Sequence, residues 1–136
     1  MNAQDIEQKL LKGPFHQWLG LKVQQVAEGE ITLRVPFRDE FVVNPAGGYI
    51  HGGILATLID LAADWALVAW TGKGVPTLNV HVDYHRPARG DLTVKAKVIK
   101  RGKLASSAEA WIYDAEDHLV ASGRGLYATQ AEQGAA

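Results

Sequence analysis

The sequence predicts an α+β fold: one long helix packed on a single antiparallel sheet of about six strands, with a short helix in front. Three observations predict it. The stretch "HGGILATLIDLAADWALVAW", His51 to Trp70, carries apolar residues around most of a helical circumference, the mark of a helix buried on nearly all sides. The stretch "TLNVHVDYH" alternates strictly, with Leu78, Val80, Val82 and Tyr84 on one face and Asn79, His81, Asp83 and His85 on the other, the period of a half-buried strand. Three further strand-like runs, "LTVKAKVIK", "LASSAEAWIYD" and "LVASGRGLYAT", are set apart by the turns "RPARGD", "RGK" and "AEDH". A sheet that lays one face on one helix buries all of this most simply.

The elements follow in order. Ala3 to Leu11 forms a short amphipathic helix with Ile6, Leu10 and Leu11 on one side. "LKVQQVAEGEITLRVPF" reads as two strands around the turn Glu28-Gly29. The Gly-rich loop "NPAGGYIHGG" then leads into the long helix, placed over residues 54–70. In the strand that follows, strict alternation puts Thr77 on the face of His81 and Asp83, away from the helix, and the aromatics Trp65, Trp70, Tyr84 and Trp111 are expected in the core. No internal repeat is present; residues 1–136 read as a single domain with its core over 15–128 and a disordered tail, "TQAEQGAA", over 129–136.

Composition narrows the function. A chain of 136 residues suits one domain with a real core. Its 14 basic and 15 acidic residues are dispersed, so neither a nucleic-acid groove nor a polybasic membrane patch is expected. The absence of cysteine excludes disulfides, thiolate metal sites and cysteine nucleophiles and fits a cytoplasmic protein. The polar N-terminus lacks a secretory apolar core. The apolar run from Ile54 to Trp70 is shorter than the roughly 20 residues of a membrane span, and two carboxylates interrupt it. Ser106, Ser107 and Ser122 are the only serines, and none stands in a G-x-S-x-G elbow. His81, Asp83 and His85 share a strand face without identifiable further ligands, so a polar outer sheet surface is expected there and no metal site.

Two aspartates stand out. Thr57, Asp60 and Asp64 fall three and four residues apart and share one stripe of an otherwise apolar helix. A dry, unpaired carboxylate costs several kcal/mol, so such a group pairs, protonates or borders a wet cleft. Two of them one turn apart also repel, which raises at least one pKa. The stripe alone reads as solvent-facing, or as paired with Arg34 or Arg86. The preceding His51-Gly52-Gly53 points elsewhere: glycines at a helix entrance admit close approach, and the open N–H groups there are oriented oxyanion donors. An oxyanion site and a carboxylate facing a cleft are the minimum for attacking a carbonyl with water.

With His51-Gly52-Gly53, Asp60 on the long helix and "VDYHRPARGD" in the next strand and turn, the sequence resembles the hotdog-fold acyl-CoA thioesterases, most closely the phenylacetate-degradation (PaaI-type) branch, over roughly residues 15–128. The resemblance implies a helix wrapped by a curved antiparallel sheet, and subunits joined sheet to sheet as dimers or as dimers of dimers with active sites between them. It implies that the Gly52 backbone N–H polarises the thioester carbonyl, with Gly53 beside it, and that Asp60 from the neighbouring subunit is base or nucleophile. His51 shapes the loop. Asn44 is the counterpart of a carbonyl-contacting Asn, in a loop one residue longer than usual, and Thr77 is the counterpart of a water-holding Ser or Thr. Asp64 and Trp65 are candidates to border the acyl group, and Arg86, Arg89, Arg101 and Lys103 to meet the coenzyme A phosphates. No metal or redox cofactor is implied; coenzyme A belongs to the substrate, and the acyl group is aromatic (phenylacetyl-type) or medium-chain. The alternatives are a hotdog enoyl-thioester hydratase or dehydratase, and a non-catalytic acyl-CoA-binding sensor.

Overall fold

A computed structural model of the chain describes residues 1–129; of the expected tail, 130–136 lie outside the described residues. The elements run α1 (Ala3–Leu10), α2 (Pro14–Leu19), β1 (Lys22–Ala27), β2 (Glu30–Val35), a 3-10 turn (Asp39–Phe41), α3 (Gly52–Thr71), β3 (Thr77–Tyr84), β4 (Leu92–Lys100), β5 (Ser106–Tyr113) and β6 (Leu119–Tyr127). The six strands form one antiparallel sheet in the order β1-β2-β4-β5-β6-β3. α3 packs across all six strands. This is the hotdog arrangement the sequence predicts.

Local chemistry explains the elements. α1 is opened by a capping box in which Asn2 and Asp5 satisfy each other's backbone N–H. β4 alternates cleanly, with Leu92, Val94, Ala96 and Val98 buried against the helix and Lys95 and Lys97 outward. Small residues face α3 from the central strands: Ala96, Ala108, Ala110 and Ala121 meet Ala62, Ala63 and Ala66. Where β6 passes under α3, a Cβ at Gly123 would lie 3.0 Å from Ile59 Cγ2 and collide with the His81 carbonyl, so only glycine fits the close approach.

The structure corrects several expectations. α2 is a short helix the sequence reading missed; Pro14 stands in its first turn, where its missing N–H costs nothing. The core begins earlier than residue 15, because Ile6 and Leu10 are fully buried. Thr129 belongs to no loose tail: it is buried, and its hydroxyl donates to the Gly102 carbonyl at 2.8 Å. α3 spans 20 residues rather than 17, long and apolar enough to cross a membrane by composition, but its apolar faces are spent on the sheet. Trp70 and Tyr84 are exposed rather than core, and Arg101 stacks over Trp70 at 5.1 Å.

Register supplies the correction that matters most. Thr77 pairs with Tyr127 and Asn79 with Leu126, so Leu78 is an extra residue in β3. This bulge turns Leu78 outward, 57% exposed, and rotates Thr77 onto the helix face.

Candidate active site

The stripe of α3 that the sheet does not cover contains Gly53, Ala56, Thr57, Asp60 and Asp64, all incompletely buried, whereas Leu55, Leu58, Ile59, Ala62, Ala63 and Ala66 are buried. Neither aspartate pairs with a cation. Arg34 is taken by Asp91 at 3.3 Å, and Arg86 makes no ion pair among the described residues.

Asp60 instead collects hydroxyls. Thr77 Oγ1 donates to Asp60 Oδ1 at 2.9 Å, and the Tyr127 hydroxyl lies 3.2 Å from the same oxygen and 2.9 Å from the Asp60 carbonyl. Thr77 and Tyr127 are cross-strand partners on β3 and β6, so two adjacent positions on the inner sheet face converge on one carboxylate oxygen. Tyr127 is fully buried. Burial, then the charges of Asp60 and Asp64 and the hydrogen bond to Asp60, push its hydroxyl above the usual tyrosine range, so at any ordinary pH it is a donor.

Asp64, one turn on, has the opposite surroundings. Its Oδ1 is buried with no hydrogen-bond partner. Burial is the main cause that pushes its pKa up to about 7; the Val75 backbone N–H opposes this and the charge of Asp60 adds to it.

At the N-terminus of α3 the backbone donors can be accounted for one by one. His51 is the N-cap: its Nδ1 accepts from the Gly53 N–H at 3.0 Å, which fixes the proton of a neutral ring on Nε2. Ile54 N–H donates to the His51 carbonyl at 2.9 Å. The Gly52 N–H has no acceptor among the described residues. It is an open donor at the positive end of a 20-residue helix. The Tyr84 hydroxyl donates to the Gly52 carbonyl at 2.8 Å, and a Cβ at Gly52 would lie 3.3 Å from that ring. Glycine lets the Tyr84 ring approach the helix entrance without having to shift. Eight residues separate Gly52 from Asp60, about 12 Å along the axis at 1.5 Å per residue.

The remaining candidates scatter. Asn44 is exposed and caps its own turn, Oδ1 accepting from Ala46 N–H at 3.0 Å, and it does not meet Asp60 or Gly52. Trp65 packs edge-on against His16 of α2, ring centres 6.3 Å apart, away from the aspartate stripe. Arg89 holds the loop before α3, its Nε donating to the Gly47 carbonyl at 3.2 Å and its guanidinium 4.1 Å over Tyr49. Arg86 stands in the same β3–β4 connection, whereas Arg101 and Lys103 sit in the β4–β5 turn beside the C-terminal end of α3. On the outer sheet face His81 meets Asp83 at 3.2 Å and His85 meets Ser122 at 2.7 Å. No group of three His, Cys, Asp or Glu suited to a metal occurs among the described residues. Tyr127 and Tyr84 are the members that sequence reasoning missed.

Comparison with known proteins places this geometry in a family. The thioesterase superfamily model matches residues 47–121, from the loop before α3 into β6, and the chain belongs to that family of thioester hydrolases. A solved structure from the thioesterase superfamily is similar at 42% identity, with a TM-score of 0.89, over 93% of this chain and 96% of that one. Acyl-coenzyme A thioesterase 13 of Pongo abelii is 32% identical over 81% of each chain. The medium/long-chain acyl-CoA thioesterase YigI of Escherichia coli is 25% identical over 84% of each. The E. coli PaaI structure shares the fold, with a TM-score of 0.82 at 22% identity, over 93% of this chain and 91% of that one.

Proposed function

We propose that this protein hydrolyses acyl-CoA thioesters, with aromatic or medium-chain acyl groups, to the free acid and coenzyme A. The observation that carries the reading is Asp60: a carboxylate on the uncovered stripe of α3, held by Thr77 and Tyr127, on a helix whose first N–H is open. Asp60 takes a proton from water as the oxygen attacks the thioester carbon, or attacks that carbon itself to give a mixed anhydride that water then cleaves. In either route a Gly52 N–H receives the oxyanion. The C–S bond breaks, the carboxylic acid is released and the thiolate takes up a proton. A thiolate is a far better leaving group than an alkoxide, since thiols ionise many units below alcohols (about 8.5 for a cysteine side chain), so the step asks for no metal or redox cofactor.

The separation along α3 bears on assembly. A reacting carbonyl about 3 Å from its donor and its base cannot bridge the roughly 12 Å between Gly52 and Asp60 of one helix. The reading therefore takes Gly52 from one subunit and Asp60 from the other. β3 is a sheet edge whose outer side is unpaired, with Leu78 and Tyr84 exposed beside it, which suits edge-to-edge dimerisation; the dimers can pair further. His51 and Gly53 line the carbonyl side and Asp64 the base side, while Arg86, Arg89, Arg101 and Lys103 are the candidates for the coenzyme A phosphates; Asn44 and Trp65 stand apart from both sides. The cytoplasm is the expected compartment.

The test is free-thiol release from a panel of aryl- and alkyl-CoA thioesters, with wild type beside Asp60→Asn. Turnover that disappears in a folded Asp60→Asn protein supports the reading, and the panel identifies the acyl class. Undiminished turnover in that variant would sink it.

A further inference from the structure

We infer that Tyr127 is a positioning residue for the reaction, fixing the orientation of the Asp60 carboxylate from the opposite wall of the core. The inference rests on the thioesterase reading above and adds a residue to it.

Three features of β6 and its neighbour β3 converge on this role. The Tyr127 side chain is fully buried, yet its one polar atom is not stranded: it sits 3.2 Å from Asp60 Oδ1 and 2.9 Å from the Asp60 carbonyl. Its partner across the strand pair, Thr77, donates to the same Oδ1 at 2.9 Å. Thr77 fills one hydrogen-bonding direction of that oxygen, and the single Tyr127 proton, shared between it and the nearer Asp60 carbonyl, steadies the carboxylate from the second strand. The strand also makes room for the ring. Gly125, two residues earlier on the same inner face, has no space for a side chain, because a Cβ there would collide with the ring and hydroxyl of Tyr127. The ring thus lies along the strand over Gly125 toward the middle of α3. A buried tyrosine serving only as apolar filling would need neither the glycine beneath it nor a carboxylate at its tip.

A simple clamp between β6 and α3 is the competing role, since the same hydroxyl also reaches the Asp60 carbonyl. The two roles predict different readouts. A clamp affects stability alone. A positioning donor fixes the orientation of the carboxylate that meets the reacting atoms, so its loss lowers kcat more than it changes KM. The titratable groups facing Asp60 are Asp64 on its own helix and Tyr127 itself; Thr77 is the neutral partner.

The experiment is kcat and KM against pH for wild type, Tyr127→Phe and Asp60→Asn, with thermal melts of each. The expected result for Tyr127→Phe is a folded protein with kcat lowered roughly tenfold to a hundredfold, the scale of a misoriented catalytic group. KM should stay within about threefold, so that the loss falls on kcat. A wild-type profile with a lowered melting temperature would overturn the inference in favour of the clamp. If Tyr127→Phe does not fold, a ring-fluorinated tyrosine at position 127 decides, because fluorine keeps the shape and changes the donor strength of the hydroxyl: kcat should change while KM stays within about threefold, and an unchanged kcat overturns the inference. Turnover surviving in Asp60→Asn would refute the thioesterase reading instead, so the two failures are distinguishable.

Discussion

Replacing Asp64 by Asn should make the protein more stable at neutral and alkaline pH, by an amount that vanishes in acid. The wild-type carboxyl is buried with one oxygen unpartnered, and its pKa is pushed from 3.8 up to about 7. At 1.36 kcal/mol per unit that rise corresponds to about 4 kcal/mol, a ceiling, because water reaching the site screens the charge. Below pH 4 the group is protonated in both the folded and unfolded chain and has no effect. Between about pH 4 and 7 the unfolded chain has lost the proton and the folded chain retains it, so stability falls as pH rises. Above pH 7 both are ionised and the full penalty stays. Asparagine never ionises, and every other titrating group is common to both proteins. Urea unfolding at a fixed protomer concentration, from pH 4 to pH 8.5, should therefore give a variant-minus-wild-type difference that grows by up to about 4 kcal/mol and levels off above pH 7. A difference that stays constant across that range would refute the reasoning: Asp64 would then titrate near its unfolded value, and its burial would be relieved by a group outside the described residues.

Other outcomes follow from the same contacts. Thr77→Val removes the 2.9 Å donor to Asp60 and should lower kcat about tenfold or more with the fold intact, while Thr77→Ser retains most activity; equal kinetics for valine and wild type would show that the hydroxyl is idle. His51→Ala removes the N-cap of α3 and should cost about 1 kcal/mol in denaturant unfolding, with His51→Asn recovering much of it; no loss in the alanine variant would mean that water caps the helix equally well. Gly125→Ala forces Tyr127 off its seat and should reproduce the lowered kcat of Tyr127→Phe together with a clear loss of stability; an unchanged kcat would show that the ring relocates without disturbing Asp60.

The parts of the site that the sequence disclosed are those with local causes. A carboxylate in an apolar helix is conspicuous wherever the chain folds, and glycines beside a helix start signal an open N–H, so Asp60, Gly52 and His51 were legible. Thr77 was not, because one extra residue at Leu78 reverses the alternation and nothing in "VPTLNV" marks it. Tyr127 lies 67 positions from Asp60, and its only advance signal is the pair of glycines in "GRGLY", spaced by two on a strand. α2 was missed because Gly13-Pro14 reads as a break until Pro14 is seen in the first turn of a helix. Trp70 and Tyr84 were expected inside on apolar character alone, a rule that works in one direction only.

The two aspartates make the site intelligible as a pair. A second carboxylate one turn from the first would oppose its charge, and α3 resolves the conflict by unequal surroundings. Two hydroxyls, one from β3 and one from β6, reach Asp60, while Asp64 receives burial, the Val75 N–H and one oxygen without a partner among the described residues. Asp64 therefore exchanges its proton near neutral pH, its carboxyl pushed up to about 7 by burial and by the charge of Asp60. Asp64→Asn, which fixes the neutral form, should retain turnover near neutrality, where the wild-type carboxyl is about half protonated. It should also lose the inflection near pH 7 that a charging neighbour adds to the wild-type profile. An inflection that persists in the variant would assign the titration to another group.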